Sequence, residues 1–336
     1  MVRVKDVAVR VVVVCGEALV DMVSVAGEPL APLTPRLGGG PLNVAVALAR
    51  LGVPTAFCSR VSTDGFGSAV LRHLHDAGAQ TALVQRGDEP TTLAVVTLRP
   101  DGAAGYSFYV QGTADRLVTD PGALAEDVAA VSFGTLSLVL EPGASVYEAL
   151  LHRAHATGRL TMLDPNIRAA LIDDPAAYRA RFQSWLPSVD VLKLSDQDAG
   201  WLGGEPQEWL EAGVGAVVLT RGGAGLSVHT PGGVVEVGVP ATVVTDTIGA
   251  GDTVHGAMLA WLHGAGSLSQ DGVRALDAQQ WRAALEFTAA AAAVTVSRPG
   301  ADPPWHAELA ARFHGGASEG PCRTQRKGAL TRDNLS

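Results

Sequence analysis

Asp246-Thr247-Ile248-Gly249-Ala250-Gly251-Asp252 is the stretch on which the reading of this chain turns. It follows a β-rich run over residues 234–244 and leads into a helical run of small residues over 253–263. Gly249 and Gly251 leave no side chain in the way, so backbone N–H groups can close around an anion. The positive end of the helix dipole points at the same spot. Asp252 is the unexpected residue. A carboxylate beside a phosphate repels it unless it has work there, such as taking a proton from an attacking hydroxyl. Alone, a GxGD is better read as a glycine-rich strand-to-helix turn with Asp as N-cap. The rest of the chain reverses that preference.

Upstream, polar clusters recur where buried strands end. Residues 11–23 read as one strand ending in Gly16-Glu17-Ala18-Leu19-Val20-Asp21, with Asp21 either a ligand-facing carboxylate or a solvated strand end. A Pro-rich connector over 29–35 precedes Gly38-Gly39-Gly40-Pro41-Leu42-Asn43, which opens a helix that stops at Gly52. Glycines at a helix entrance permit close backbone approach to a ligand, and Asn43 could reach a sugar hydroxyl; a flexible capped turn is the plain alternative. A strand over 56–61 and a helix over 68–77, entered through the turn Asp64-Gly65-Phe66-Gly67, come next.

Residues 91–111 alternate around Asp101-Gly102, a hairpin signal. Its second arm carries Tyr106, Phe108 and Tyr109, which are either core or the lining of a lid over a substrate. From there strand and helix alternate, the signature of a parallel sheet with flanking helices. The strands over 160–163, 189–194 and 216–219 end in Asp164-Pro165-Asn166-Ile167-Arg168, Ser195-Asp196-Gln197-Asp198 and Thr220-Arg221-Gly222-Gly223. Open α/β sheets bind ligands at such ends. Helices over 279–296 and 304–313, separated by Ser297-Arg298-Pro299-Gly300-Ala301, close the periodic part of the chain.

Composition sets outer bounds. A chain of 336 residues with 47% hydrophobic content can bury a large core, and no apolar run is long enough to span a membrane. A net charge of −9 argues against nucleic acid or an anionic membrane as partner. Cys15, Cys58 and Cys322 are far apart and show no metal or disulfide spacing, so they are expected as reduced thiols. No signal-peptide pattern is found at the start, and the expected location is the cytoplasm.

Together these pieces resemble the ribokinase-like (PfkB) family of sugar kinases. Gly38-Gly39-Gly40-Pro41-Leu42-Asn43 is similar to the family's first signature, and Asp246–Asp252 to its second and more specific one. The resemblance implies an α/β fold: a three-layer α/β/α sandwich with a central, mostly parallel sheet and a small β-sheet lid. It implies a kinase domain over residues 10–313 with a lid from about 22–36 and 91–113, followed by a disordered tail over 314–336. Gly16–Asp21, Phe108-Tyr109, Thr113-Ala114-Asp115 and Ser297–Ala301 look most like the fructokinase branch, although 2-keto-3-deoxygluconate kinases share several pieces, including Asp164–Arg168.

The resemblance also implies roles. Asp252 would be the catalytic base, with Gly249, Ala250 and Gly251 supplying N–H groups to the transferring phosphoryl. Asp21, Gly39, Gly40, Asn43, Phe108, Asp164 and Arg168 would line the sugar; Ser195, Thr220, Gly222, Gly225, Gly249 and Gly251 would hold ATP. Asp198 would reach Mg²⁺ through water, on a shorter arm than the glutamate many relatives carry, and Asp246 and Ile248 would hold a K⁺ ion. Val254 stands where an aromatic is usual. A homodimer through the lid is expected. A nucleoside kinase of the same fold and a catalytically silent sugar-binding protein are the competing readings; loss of the Asp252 carboxylate would mark the latter. A nicotinamide dehydrogenase is disfavoured, because GxGxxG does not follow the first strand.

Overall fold

The computed structural model of the chain describes residues 10–24, 31–98 and 104–314. Strand β1 (Val11–Cys15) carries the pattern that builds the molecule. Val12 and Val14 enter one core, while Val11, Val13 and Cys15 enter another. A strand with two apolar faces must be covered on both sides, which is the condition for a parallel sheet between helix layers.

The chain then forms β2 (Leu19–Ser24), β3 (Leu33–Gly38), α1 (Gly40–Arg50), β4 (Thr55–Ser62), α2 (Gly65–Ala77) and β5 (Val84–Gly87). Next come β6 (Leu93–Leu98), β7 (Ala104–Tyr109), β8 (Val128–Gly134), α3 (Gly143–Ala156), β9 (Leu160–Asp164) and α4 (Pro175–Trp185). They are followed by β10 (Val191–Ser195), α5 (Asp196–Leu202), α6 (Pro206–Glu211), β11 (Ala216–Thr220), β12 (Leu226–Thr230) and β13 (Gly233–Val237). The helices α7 (Ala250–Gly264), α8 (Gln270–Arg274), α9 (Ala278–Val296) and α10 (His306–His314) complete it.

Nine strands make the main sheet in the order β13-β12-β11-β10-β9-β8-β1-β4-β5. The seven from β11 to β5 are parallel, and β12 and β13 add an antiparallel edge. Helices α1, α2, α7 and α9 cover one face, and α3, α4 and α6 the other. The chain leaves β1 toward β4 on one side and later returns through β8 on the other, so the strand order reverses between β1 and β8. Such reversals open a crevice at the carboxyl ends of the strands. Among the described residues, no helix is long and apolar enough to cross a membrane.

A second sheet, ordered β3-β2-β6-β7, stands above that crevice. Its register puts Asp21, Ala94 and Phe108 in one row. Leu19, Ala94 and Phe108 pack against Leu136 of the main body, so that face looks inward. The lid aromatics are not core: Phe108 is half-buried, and Tyr106 and Tyr109 are 50% and 62% exposed.

Several expectations need correction. Residues 11–23 are two strands, broken at Gly16 (φ 145°), where a Cβ would lie 2.3 Å from the Pro41 ring. The connector over 29–35 ends inside β3, a strand that tolerates Pro35 at the free edge of its sheet. Asp64 does not sit in a turn before a helix at 68; its side chain accepts from the Gly67 N–H and caps α2 from Gly65. The β-rich run over 234–244 ends at Val237, and its remainder is an extended segment without sheet partners. That segment is carried across α9, with the N–H groups of Thr245 and Asp246 donating to the Val296 carbonyl.

Cys15 and Cys58 are far apart only in sequence. They are register partners on β1 and β4, buried and free. The Asp101-Gly102 turn, the first nine residues, Cys322 and the tail beyond His314 lie outside the described residues.

Candidate active site

Gly249 is the hinge of the site. Its backbone is left-handed (φ 75°, ψ 0°), and a Cβ there would meet the Ala301 methyl at 2.5 Å. Both facts demand glycine. It is the N-cap of α7, so Asp252 is not the capping residue that the plain reading made it; Asp252 lies on the first turn with its carboxyl directed inward. The Ala250 N–H closes weakly on the Thr247 carbonyl at 3.3 Å. Those of Gly251 and Asp252, at the helix's positive end, belong to the group that has no carbonyl within the helix.

Asp252 is 8% exposed, and its Oδ2 accepts from the Asn43 amide at 2.8 Å. Burial pushes its carboxyl above the ordinary range, against the pull of the Asn43 hydrogen bond, Lys193 and Arg168. A carboxylate destabilised in this way takes a proton more readily. Gly40 lies beside it: a Cβ there would come 3.3 Å from Asp252 Oδ1 and 2.5 Å from the Thr135 methyl.

The lid brings Asp21 to the same place. Its carboxyl rises to about 6 through burial, against the pull of Arg168 and with a push from the Asp252 charge. Gly38 has no room for a side chain, since a Cβ would lie on Asp21 Oδ2, and Gly39 (φ 107°) bends the chain from β3 into α1. On the opposite side, Asp164 ends β9, with Oδ1 accepting the Asn166 N–H at 3.1 Å. Arg168 is exposed and anchored through Nη1 to the Asn166 carbonyl and side-chain oxygen at 2.9 and 2.7 Å.

The residues assigned to ATP lie on the next strands across. Ser195 and Thr220 are register partners at the ends of β10 and β11. Ser195 and Asp198 form a capping box on α5, and Asp198 Oδ1 also accepts the Ile167 N–H at 2.8 Å. Both oxygens of Asp198 are thus engaged, which suits a contact to a metal's water better than direct ligation. Gly222 (φ 51°) faces open space, whereas Gly225 (φ 107°) has the Val237 carbonyl 2.2 Å from its Cβ position. Asp246 ties two loops, accepting from the Ile248 N–H at 3.0 Å and the Gly300 N–H at 2.8 Å. No cluster of three or more His, Cys, Asp or Glu able to cage a metal occurs among the described residues.

Four residues at the site carried no assignment from sequence. Lys193 is buried and bonded to Asp164 at 2.7 Å. Glu17 is buried beneath Thr135, accepting from its hydroxyl and from the Ser137 N–H at 3.0 Å; burial raises its carboxyl to about 7. Thr135 itself holds a left-handed backbone (φ 58°). His255, on α7, bonds Ser132 at 2.8 Å and is kept neutral, its pKa lowered to about 3 by burial and by Lys193. For Lys193 a signal existed: a lysine in the middle of an otherwise apolar buried strand.

Comparison with known proteins bears on the same region. The profile described as pfkB family carbohydrate kinase matches residues 10–308. A fructokinase of Rhizobium leguminosarum bv. trifolii is 38% identical over 279 residues, 80% of this chain and 84% of that one. The solved fructokinase of Xylella fastidiosa with bound ATP superposes with a TM-score of 0.81 at 27% identity, covering 92% of this chain and 99% of its own. Fructokinase of Vibrio cholerae O395 in its fructose-, ADP- and calcium-bound form superposes at 0.76 with 25% identity, covering 90% and 99%. A family profile spanning nearly all of the described residues, on a fold that places both signatures around one buried carboxylate, means that this chain belongs to the pfkB family of carbohydrate kinases.

Proposed function

We propose that the protein is an ATP-dependent fructokinase, moving the γ-phosphoryl of ATP to a primary hydroxyl of fructose. The observation that carries this reading is Asp252: a buried carboxylate on the first turn of α7, beside the helix's unpaired N–H groups and across from Asp21 of the lid. Asp252 accepts the hydroxyl proton as the sugar oxygen bonds to phosphorus and the bond from phosphorus to the ADP oxygen breaks. The N–H groups of Gly249, Ala250 and Gly251 stabilise charge on the phosphoryl oxygens. Asn43 fixes the base, and Asp21, the Gly39–Gly40 backbone and Asp164 orient sugar hydroxyls beneath Phe108. Ser195, Thr220, Gly222 and Gly225 flank the nucleotide.

Asp198 is the residue that would hold Mg²⁺, through water, and the ion would neutralise phosphate charge. Asp246 and the Ile248 backbone are the groups proposed to hold K⁺. The relatives' names support fructose as the acceptor. ATP as co-substrate supports a cytoplasmic location, and the exposed Tyr106 and Tyr109 support a homodimer through the lid. A 2-keto-3-deoxygluconate kinase is the second reading, favoured by the exposed Arg168 guanidinium near Asp21, which could take a substrate carboxylate.

ADP release measured with Mg-ATP and fructose, 2-keto-3-deoxygluconate, ribose or adenosine, with and without K⁺, tests the proposal. The expected result is turnover preferring fructose. Preference for the keto-acid reassigns Arg168 to its carboxylate, and silence on all four with sugar still bound returns the silent sugar-binding reading. A second expectation concerns pH. Asp21 and Asp164 each have carboxyls raised to about 6, first by burial. Ionised, both oxygens of each can accept from sugar hydroxyls and Asp164 keeps its ion pair with Lys193; that form is lost as pH falls through that value. The pH profile of kcat/KM should therefore fall on its acidic side near 6 rather than near 4.

A further inference from the structure

Strand β10 runs Val-Leu-Lys-Leu-Ser, and its alternation is strict: Leu192 and Leu194 enter the core under α4 and α6, while Val191 enters the core under α1 and α7. Lys193 shares the face of Val191 and is 4% exposed. A lysine is almost never fully buried without a partner. Its ammonium lies 2.7 Å from Asp164 Oδ2, and 3.1 Å from the point a Cβ on Gly251 would occupy. Gly251 has no positive φ to explain it. Its missing side chain leaves the space into which the ammonium reaches.

We propose that Lys193 is a positioning residue for phosphoryl transfer: held by Asp164 under the first turn of α7, its ammonium fills the space left at Gly251 and braces the turn that carries Asp252. The proposal rests on the kinase reading for its consequence, though not for its geometry. Four carboxylates meet here on different elements: Asp21 from β2, Asp164 from β9, Asp198 from α5 and Asp252 from α7. Asp252 is faced by Asn43 from α1, Lys193 from β10 and Arg168 from the segment after β9. His255, the other titratable group against Lys193, is neutral. Arg168 is exposed and screened by water, so Lys193 is the buried cation of the group. With Lys193 removed, Asp252 keeps its burial and loses that cation, so it holds its proton to higher pH.

Lys193→Met, Lys193→Arg and wild type are compared in two measurements on the full chain: the pH profile of kcat/KM, and a carboxyl ¹³C titration of Asp252 assigned by its absence in Asp252→Asn. In Lys193→Met the Asp252 midpoint should move up by about one unit, and the acidic limb, which Asp164 also shifts on losing its ion pair, should move up with it. kcat/KM should then be down by up to about tenfold on the acidic side, below both midpoints, and recover toward wild type at pH 9. Lys193→Arg, which keeps the charge, should leave the midpoint near wild type. A uniform loss at every pH with an unmoved midpoint overturns the proposal. Should Lys193→Met not fold, Lys193→Gln, which keeps a polar stem and removes the charge, carries the test; an unmoved midpoint there overturns it too. If wild type itself transfers no phosphoryl group, the kinase reading fails, and the ¹³C midpoints alone decide the role of Lys193.

Discussion

Asp252→Asn should abolish turnover while leaving sugar binding nearly intact. The substitution changes one atom. Asp252 Oδ2 accepts from the Asn43 amide at 2.8 Å, and the amide oxygen of an asparagine can accept that bond, so the side chain keeps its place on α7. What it loses is the ability to take the hydroxyl proton. General-base removal costs about 10²–10⁴-fold. Burial raises Asp252 and places it beside the unpaired N–H groups at the start of α7, so a loss in kcat of about 10³-fold or more is expected. Binding should respond little, because removing a negative charge between Asp21 and the phosphoryl position relieves repulsion. Steady-state kinetics beside calorimetric fructose binding checks it. Loss of both kcat and binding by similar factors would make Asp252 a substrate ligand, and unchanged kcat would end the base assignment.

The contrast between Asp252 and Lys193 shows what a sequence can hold of such a site. Asp252 was legible because its chemistry conflicts with its surroundings: a carboxylate where glycines and a helix start prepare an anion site. Asp164 was legible as a strand end, since an open α/β sheet gathers its strand ends at one rim; Asp21 was singled out on the same ground but lies inside β2 of the second sheet. Lys193 carried a signal, a lysine in an apolar strand, but its role was illegible because its partners are contributed by β9 and α7, 29 residues away in one case, and pairing across parallel strands leaves no local trace. Glu17 stood inside a quoted motif without a role. Only the fold shows it buried under Thr135, a residue whose left-handed backbone no β-branched side chain adopts willingly. The boundary at Gly16 was illegible for the same reason: what breaks the strand is the Pro41 ring, close in space and on the next helix. The stretch after Val237 misled because apolar β-branched residues persist where sheet partners have run out. Val243 is 82% exposed, and that segment is held by α9 instead.

Gly39→Ala should impair the enzyme through the frame that carries the sugar, without changing the Asp252 side chain itself. Gly39 joins the last lid strand to α1, with φ 107° and ψ 122°, a conformation essentially closed to residues with a side chain. An alanine methyl would also lie 2.8 Å from the Glu17 carbonyl and 3.3 Å from Ala18 Cα, both backbone atoms that cannot swing aside. Strain of this kind costs of order 1–3 kcal/mol, and the contact adds to it, so a loss of about 3 kcal/mol is expected. In a chain of this size that lowers Tm by roughly 4–5 °C. The chain can relieve the strain only by moving α1 away from β3, and that movement has consequences on both sides. Asn43 sits one turn into α1 and leaves hydrogen-bonding distance of Asp252; Asp21, paired with Arg36 on β3, shifts with the lid. Sugar KM should rise about tenfold or more, since two groups proposed to orient the acceptor move apart, while KM for ATP, whose proposed site lies on β10 and β11, should change little. Thermal denaturation with KM measured for each substrate decides the matter. An equal rise in both KM values would mean general unfolding of the site, and a stable variant with unchanged sugar KM would show that the β3–α1 junction does not set the acceptor geometry.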